Sequence, residues 1–137
     1  MSNPNDFNQQ VIDEFRANEG KVGGYFANST LLLLHSTGAK SGQPRLNPLV
    51  TMPVGDDYVI IASKGGAPTN PDWYYNLVAH PEAEIEVGAE RFPVRARLAE
   101  EPERTLLYQQ VAAQFPAFAE YEKKAGRTIP VFVLSRS

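Results

Sequence analysis

The groups of this chain that could do chemistry are concentrated in Ser36 to Pro48 (STGAKSGQPRLNP), where two glycines and two prolines surround small hydroxyl residues, one lysine and one arginine. Glycine and proline force a loop, and the side chains left exposed on it are donors and cations, so the chemistry on offer is the holding of an anion. From Gly20 to Gly55 there is no Asp or Glu, while Lys21, Lys40 and Arg45 lie inside that window, in a chain whose net charge is -3. A local positive excess against an acidic whole marks a site. Lys64, at the end of a later apolar run, joins Lys40 and Arg45 as a third candidate cation. Arg45 suits bidentate contact with an anion, and the two lysines act as point charges.

Other chemistries fare worse. GAKSG lacks the spacing of a P-loop, and neither Gly-rich segment is GxGxxG. His35 ends an apolar strand and His80 precedes a proline at a helix end, with no HxH or HExxH partner, so both read as packed or capping histidines and no metal site is expected. There is no cysteine, hence no thiol nucleophile and no disulfide framework. Asp56 and Asp57 form a carboxylate pair, but a hairpin turn is where solvated aspartates normally sit. A protein without nucleophile or metal can still be an enzyme when a cofactor supplies the reactive atom. Lys40, Arg45 and Lys64 would then hold its anionic part. Trp73 and Tyr74 could line a planar ring, although a lone tryptophan in a short amphipathic helix is more often core.

The elements that must position these residues follow from periodicity. Asn5 or Asp6 caps a first helix with Phe7, Val11 and Phe15 as its stripe, ending near Glu19-Gly20, and Gly23-Gly24 forms a joint. Thr30–Ser36 is a strand apolar on both faces. Leu46–Val54 is a second, confined to an edge or a bulge by Pro48 and Pro53. Asp57–Ser63 pairs with it across Gly55-Asp56, which brings Ala62-Ser63-Lys64 back toward the cationic loop. Asn70 caps the next helix, with Pro71 at its first position, Asp72 at the positive end of its dipole and its end before Pro81. Ala83–Val87 and Arg91–Leu98 form a half-exposed hairpin whose Glu84, Glu86, Arg91, Arg95 and Arg97 pair across strands. Glu101–Gln114 is a helix with Leu106, Leu107 and Val111 inward, and Ile129–Leu134 is the last strand. The order predicts one α+β domain, residues 1–137 with 1–28 as N-terminal helix and linker, whose antiparallel sheet curls into a small barrel. The acidic pI near 5.4 argues against a nucleic-acid partner, and no stretch has the length and apolarity of a membrane span or the pattern of a signal peptide. A cytoplasmic protein is expected, with peripheral membrane association left open.

The strings STGAKSGQPRLNPL, VIIASKGGAPTNPDWYYNL, HPEAEIEV and FPAFAEYEKKAGRTIPVFVL closely resemble the deazaflavin-dependent nitroreductase family of actinobacteria, from about Leu32 to Leu134. The resemblance implies a split β-barrel of the flavin-reductase type and coenzyme F420, a deazaflavin with a phosphate and an oligoglutamate tail. It implies that Thr37 to Arg45, with Lys40, Ser41, Gly42 and Arg45, grips phosphate and tail together with Lys64. Asn47-Pro48 and Ala62-Ser63 would lie along the ring, and Asn70 to Tyr74, with Trp73, would close over it. The implied reaction is hydride transfer from the reduced cofactor to a small apolar electrophile such as a quinone, nitroaromatic or activated enone, with Ser63 or Tyr121 supplying the proton.

Two departures from the family pattern stand out. Many members carry arginine where this chain has Ala39, which removes one cation from the tail site. The best-known nitroimidazole-reducing members close the substrate pocket with tyrosines where this chain has Phe115, Phe118 and Tyr121, which implies weak nitroimidazole reduction beside retained quinone reduction. Three alternatives stay open: an FMN-dependent oxidoreductase of the same fold, a non-catalytic cofactor or lipophile carrier, and either monomer or homodimer as the assembly.

Overall fold

The computed structural model of the protein describes residues 4–22 and 30–137, with side chains from residue 8 onward. Its frame is a seven-stranded antiparallel sheet in the order β2-β1-β5-β6-β7-β4-β3. The strands are β1 (Leu31–Thr37), β2 (Pro44–Val50), β3 (Met52–Val54), β4 (Asp57–Ile61), β5 (Glu82–Val87), β6 (Glu90–Leu98) and β7 (Val131–Arg136). The helices are α1 (Pro4–Ala17), α2 (Asp72–Ala79), α3 (Glu103–Gln114) and α4 (Ala117–Ala125).

The two edge strands are parts of one stretch of chain. β2 pairs with β1 at one edge, β3 pairs with β4 at the other, and Thr51 alone separates them. The buried Thr51 donates its backbone N–H to the Thr30 carbonyl (2.9 Å) and its hydroxyl to the Val59 carbonyl (2.9 Å), which joins the edges. The sheet therefore curls into a split β-barrel. The prolines expected to confine this stretch to an edge, Pro48 and Pro53, lie on the two edge strands, where a missing ladder donor costs least. The predicted single strand is interrupted at Thr51 because its two halves serve opposite edges.

Alternation sorts the apolar residues into an inside and an outside. Leu32 and Leu34 of β1, Ile60 of β4 and Phe132 and Leu134 of β7 fill the barrel with Trp73 and Leu77 of α2. Leu31 and Leu33 face outward onto Val11, Ile12 and Phe15 of α1. Val59, Ile61, Val131 and Val133 face outward onto α3 and α4. β1 is thus buried on both faces, as its unbroken apolar run predicts.

Several local expectations are corrected. The described α1 opens at Pro4, so Asn5 and Asp6 lie within its first turn; the Phe7 side chain and Gly23-Gly24 fall outside the described residues. Leu106 is exposed, because the buried face of α3 is Arg104, Leu107, Tyr108 and Val111, at spacings of three and four residues. The segment after Pro116 forms α4, an element the periodicity did not announce. Two cross-strand pairs occur on the hairpin, Arg91 with Glu84 (2.6 Å) and Arg95 with Glu82. Glu86 instead accepts from Arg16 of α1 (2.8 Å) and contacts His35 (2.5 Å), and Arg97 reaches Glu103 of α3 (2.7 Å). Helices docked on the sheet supply these partners, which strand pairing alone does not reveal.

Tyr108 joins α3 to α4 by donating its hydroxyl to the Phe118 carbonyl (2.5 Å), and burial, reinforced by Glu122, pushes its pKa up from 10.0 to about 12. The folded chain holds this proton more tightly than the unfolded chain, so the contribution is complete below pH 10 and disappears as pH rises to about 12. Raising the pH from 9 to 11 is expected to cost the wild type about 1.3 kcal/mol more stability than it costs Tyr108→Phe. Denaturant midpoints at pH 9 and pH 11 check this, and identical pH slopes for the two proteins would contradict it.

Candidate anion-binding site

Antiparallel pairing fixes which loops share an end of the barrel. β1, β4 and β6 run one way and β2, β5 and β7 the other, so the β1–β2 loop, the segment from Ala62 to Pro71, α2 and the α4–β7 connection all lie at one mouth. The prediction that Ala62-Ser63-Lys64 returns to the end carrying the cationic loop agrees with this topology.

The loop itself is rigidly built. The Gly38 N–H donates to the Gln43 carbonyl (2.8 Å), the Gly42 N–H to the Gly38 carbonyl (3.0 Å), and the Gln43 N–H to the Ser41 hydroxyl (3.1 Å). A Cβ at Gly38 would meet Ser41 Oγ, so a larger residue there would have to displace the Ser41 hydroxyl from its bond to the Gln43 N–H. One outside contact anchors it: the Ala39 N–H donates to Oδ1 of Asn76 on α2 (2.9 Å), while Asn76 Nδ2 donates to Ser36 Oγ (3.4 Å). Asn76 is buried and uses both ends of its carboxamide, as a polar group facing a core must. Lys40 follows the anchored residue directly, and its ammonium is left in solvent.

Between this loop, α1 and α2 lies a cleft of about 1180 Å³. Lys40, Ser41, Arg45 and Asn47 line one wall, Asn8 and Ile12 another, and Tyr75 and Asn76 a third. Among the described residues Asp72 is its one carboxylate. Lys40 and Arg45 make no ion pair among the described residues; Arg45 reaches only the Ser41 hydroxyl (3.4 Å). Six other arginines differ: Arg16, Arg91, Arg95, Arg97, Arg104 and Arg136 all pair with glutamates. Two cations left unneutralised in one cleft, while six of the other arginines are matched to glutamates, suit an anionic guest.

The other predicted site residues divide. Thr37 ends β1 and Pro48 lies within β2, opposite Leu33. Ala62, Ser63 and Lys64 stand at the same barrel mouth but do not line the cleft. Ser63 caps a short 3₁₀ turn, Lys64–Gly66, that packs on α4 close to Tyr121, so the two hydroxyl residues flank one turn. Asn70 does not cap α2; Pro71 occupies that position, and Asn70 Oδ1 accepts from Arg127 (2.6 Å). Trp73 is 5% exposed, with its ring 5.8 Å from Phe132, so it belongs to the barrel core; Tyr74 is half-buried beside the same phenylalanine (5.7 Å). Phe118 is buried among α3 and α4, flanked by Phe115 (6.3 Å) and Tyr121 (5.3 Å).

Two residues escaped the sequence reading. Asn76 could have been found, because it interrupts the apolar face formed by Trp73 and Leu77, where an amide must find partners. Arg127 carries no such signal; it follows the C-terminal Gly126 of α4, and only the fold shows what it reaches.

The F420H(2)-dependent quinone reductase family matches the chain over residues 8–136. An F420H(2)-dependent quinone reductase of Mycobacterium tuberculosis is 41% identical over 126 residues, covering 89% of this chain and 85% of that protein. A solved F420-H2 dependent reductase superposes with a TM-score of 0.71 at 38% identity, covering 77% of this chain and 93% of that one. A further structure, described as a domain-swapped dimer, superposes with a TM-score of 0.73 at 33% identity, covering 97% of this chain and all of the other.

Proposed function

The chain belongs to the F420H(2)-dependent quinone reductase family, and from that premise we propose that its cleft holds the anionic tail of coenzyme F420 while the barrel mouth beside it serves the hydride reaction. Membership makes it an F420-dependent oxidoreductase and favours the deazaflavin over FMN, and turnover over mere carriage. The observation that carries the site assignment is the unpaired Lys40 and Arg45 on a loop fixed by Asn76. Their charges meet what a polyanionic tail requires.

Lys40 and Arg45 bind the tail, with Ser41 and Asn47 as further donors on the same wall. Lys64 adds a cation at the mouth. What the cofactor supplies when bound is hydride for an electrophile such as a quinone. The protein's own part is to orient, to exclude water and to place a proton source. Ser63 and Tyr121, flanking one turn, are the hydroxyls for that proton. Phenylalanine at Phe115 and Phe118 leaves the α4 side with fewer hydroxyls, in keeping with flat apolar quinones as preferred acceptors over nitroimidazoles. The domain-swapped relative favours a homodimer as the assembly, and no helix among the described residues is long and apolar enough to cross a membrane.

Fluorescence titration with coenzyme F420 at rising salt tests the reading. The wild type is expected to bind with salt-sensitive affinity. Replacing both cations, Lys40→Ala with Arg45→Ala, should weaken binding about 100-fold, roughly tenfold for each charge-assisted hydrogen bond removed. Binding of the tail-less deazaflavin nucleoside should stay unchanged. An unaltered F420 affinity in the double variant would return both cations to the solvated surface.

A further inference from the structure

The turn that carries Lys64 is held in a conformation its sequence does not favour. Lys64 sits at φ 49°, in the left-handed region that side chains other than glycine rarely adopt, and Gly66 at φ 88°. Such backbone persists only where its surroundings over-determine it, and it gathers at functional sites. Among the described residues the turn's own hydrogen bonds are two: the Gly66 N–H donates to the Ser63 carbonyl (3.0 Å) and the Ala67 N–H to the Lys64 carbonyl (3.2 Å). Something else must set the turn.

Arg127 meets that need. Its guanidinium donates to the Ala62 carbonyl (3.1 Å), the Ala67 carbonyl (3.2 Å), the Thr69 carbonyl (2.8 Å) and Asn70 Oδ1 (2.6 Å). The first two acceptors flank Ser63–Gly66 on either side, so one planar group staples both ends of the turn. Behind it the turn rests on α4, where a Cβ at Gly66 would lie 3.3 Å from Tyr121 Cα and 3.1 Å from Lys124 Cδ. Unlike six of the other arginines, Arg127 pairs with no carboxylate among the described residues; its donors are spent on carbonyl and amide oxygens. The geometry points to Arg127 as a positioning residue of the cofactor site, which fixes Lys64 in its left-handed conformation and so presents the Lys64 ammonium at the barrel mouth. A lysine there could keep the charge but has no fork to span four acceptors.

The inference rests on the reading of Lys64 as a cofactor cation, and its test separates the two. Coenzyme F420 is titrated against wild type, Lys64→Ala, Arg127→Lys and the double variant, with thermal melts to confirm folding. Each single substitution is expected to weaken binding about tenfold, and the double variant to bind no more weakly than either single one, because a mispositioned Lys64 has nothing left to lose. A further tenfold loss on adding Lys64→Ala to Arg127→Lys, or unchanged affinity in Arg127→Lys, overturns the assignment. Hydrogen exchange without ligand supplies the second measurement: in Arg127→Lys the Gly66 and Ala67 amides should exchange at least about tenfold faster, while Ile60 and Val133 in the sheet keep their protection. Unchanged exchange at Gly66 and Ala67 equally overturns it. If the lysine variant does not fold, Arg127→Gln takes its place in both arms under the same criteria. Should the wild type fail to bind F420, the cofactor reading falls, and the exchange arm still decides whether Arg127 sets the turn.

Discussion

Trp73→Ala is expected to lower the unfolding free energy by about 3–5 kcal/mol, the range for removing a large aromatic side chain from a packed core. The indole is 5% exposed inside the barrel, against Phe132 at 5.8 Å and with Leu32, Leu34 and Ile60 in the same cluster. Truncation opens a cavity that β-strands, pinned by their ladders, can close only in part. Trp73→Phe should cost much less, because it keeps most of the apolar contact. The experiment also separates the two roles open to this residue from its sequence. A core tryptophan loses stability first, with F420 affinity following only as the fold loosens. A tryptophan that serves mainly as a wall for the cofactor ring would leave the denaturant midpoint nearly unchanged and lose cofactor binding. The burial favours the first outcome.

What made this fold legible was the contrast between apolar runs and the loops that interrupt them. Leu31 to Leu34 reads as a strand buried on both faces and is one, because a continuous apolar run fits only a layer with packing on either side. Pro48 and Pro53 announce edge positions, since an edge strand is where a missing N–H does least harm. The acid-free window around Lys40 and Arg45 pointed to the cleft they line, a matter of charge counting that needs no coordinates. The partners of side chains across the chain were not legible. Glu86 looks like a hairpin charge, yet Arg16, 70 residues away, claims it, and Asn70 looks like a helix cap, yet Arg127 claims it from 57 residues away. Local rules rank what a residue can do beside its neighbours, and a docked helix or a returning loop brings stronger partners. The same cause hid Arg127: an arginine after a helix-ending glycine reads as solvent-facing until the carbonyls of another segment are placed around it.

Arg104 is the largest such case, and its replacement by alanine is expected to cost about 3 kcal/mol. Helical spacing leaves it on the packed face of α3 with Leu107, Tyr108 and Val111, where a charge is costly unless it is satisfied. The fold satisfies it from three sides. Nε donates to the Ile129 carbonyl (3.1 Å), one terminal nitrogen to Glu122 of α4 (2.6 Å), and the guanidinium lies over the Tyr108 ring at 5.1 Å. Alanine removes the donor from a carbonyl on a fully buried residue and leaves a void between α3, α4 and the start of β7. Arg104→Met fills most of that void without restoring the hydrogen bond, so it should recover part of the stability, leaving a cost of about 1–2 kcal/mol. Glu122→Gln keeps an acceptor at the same place, and because Glu122 is 44% exposed it should cost less than about 1 kcal/mol. Urea unfolding of the three variants gives the order. An Arg104→Met variant as stable as the wild type would show that the buried guanidinium contributes no net stability. Its place would then be explained by the pairing of α4 with α3, which is read from whether that variant also loosens Tyr121 and Gly66 in hydrogen exchange.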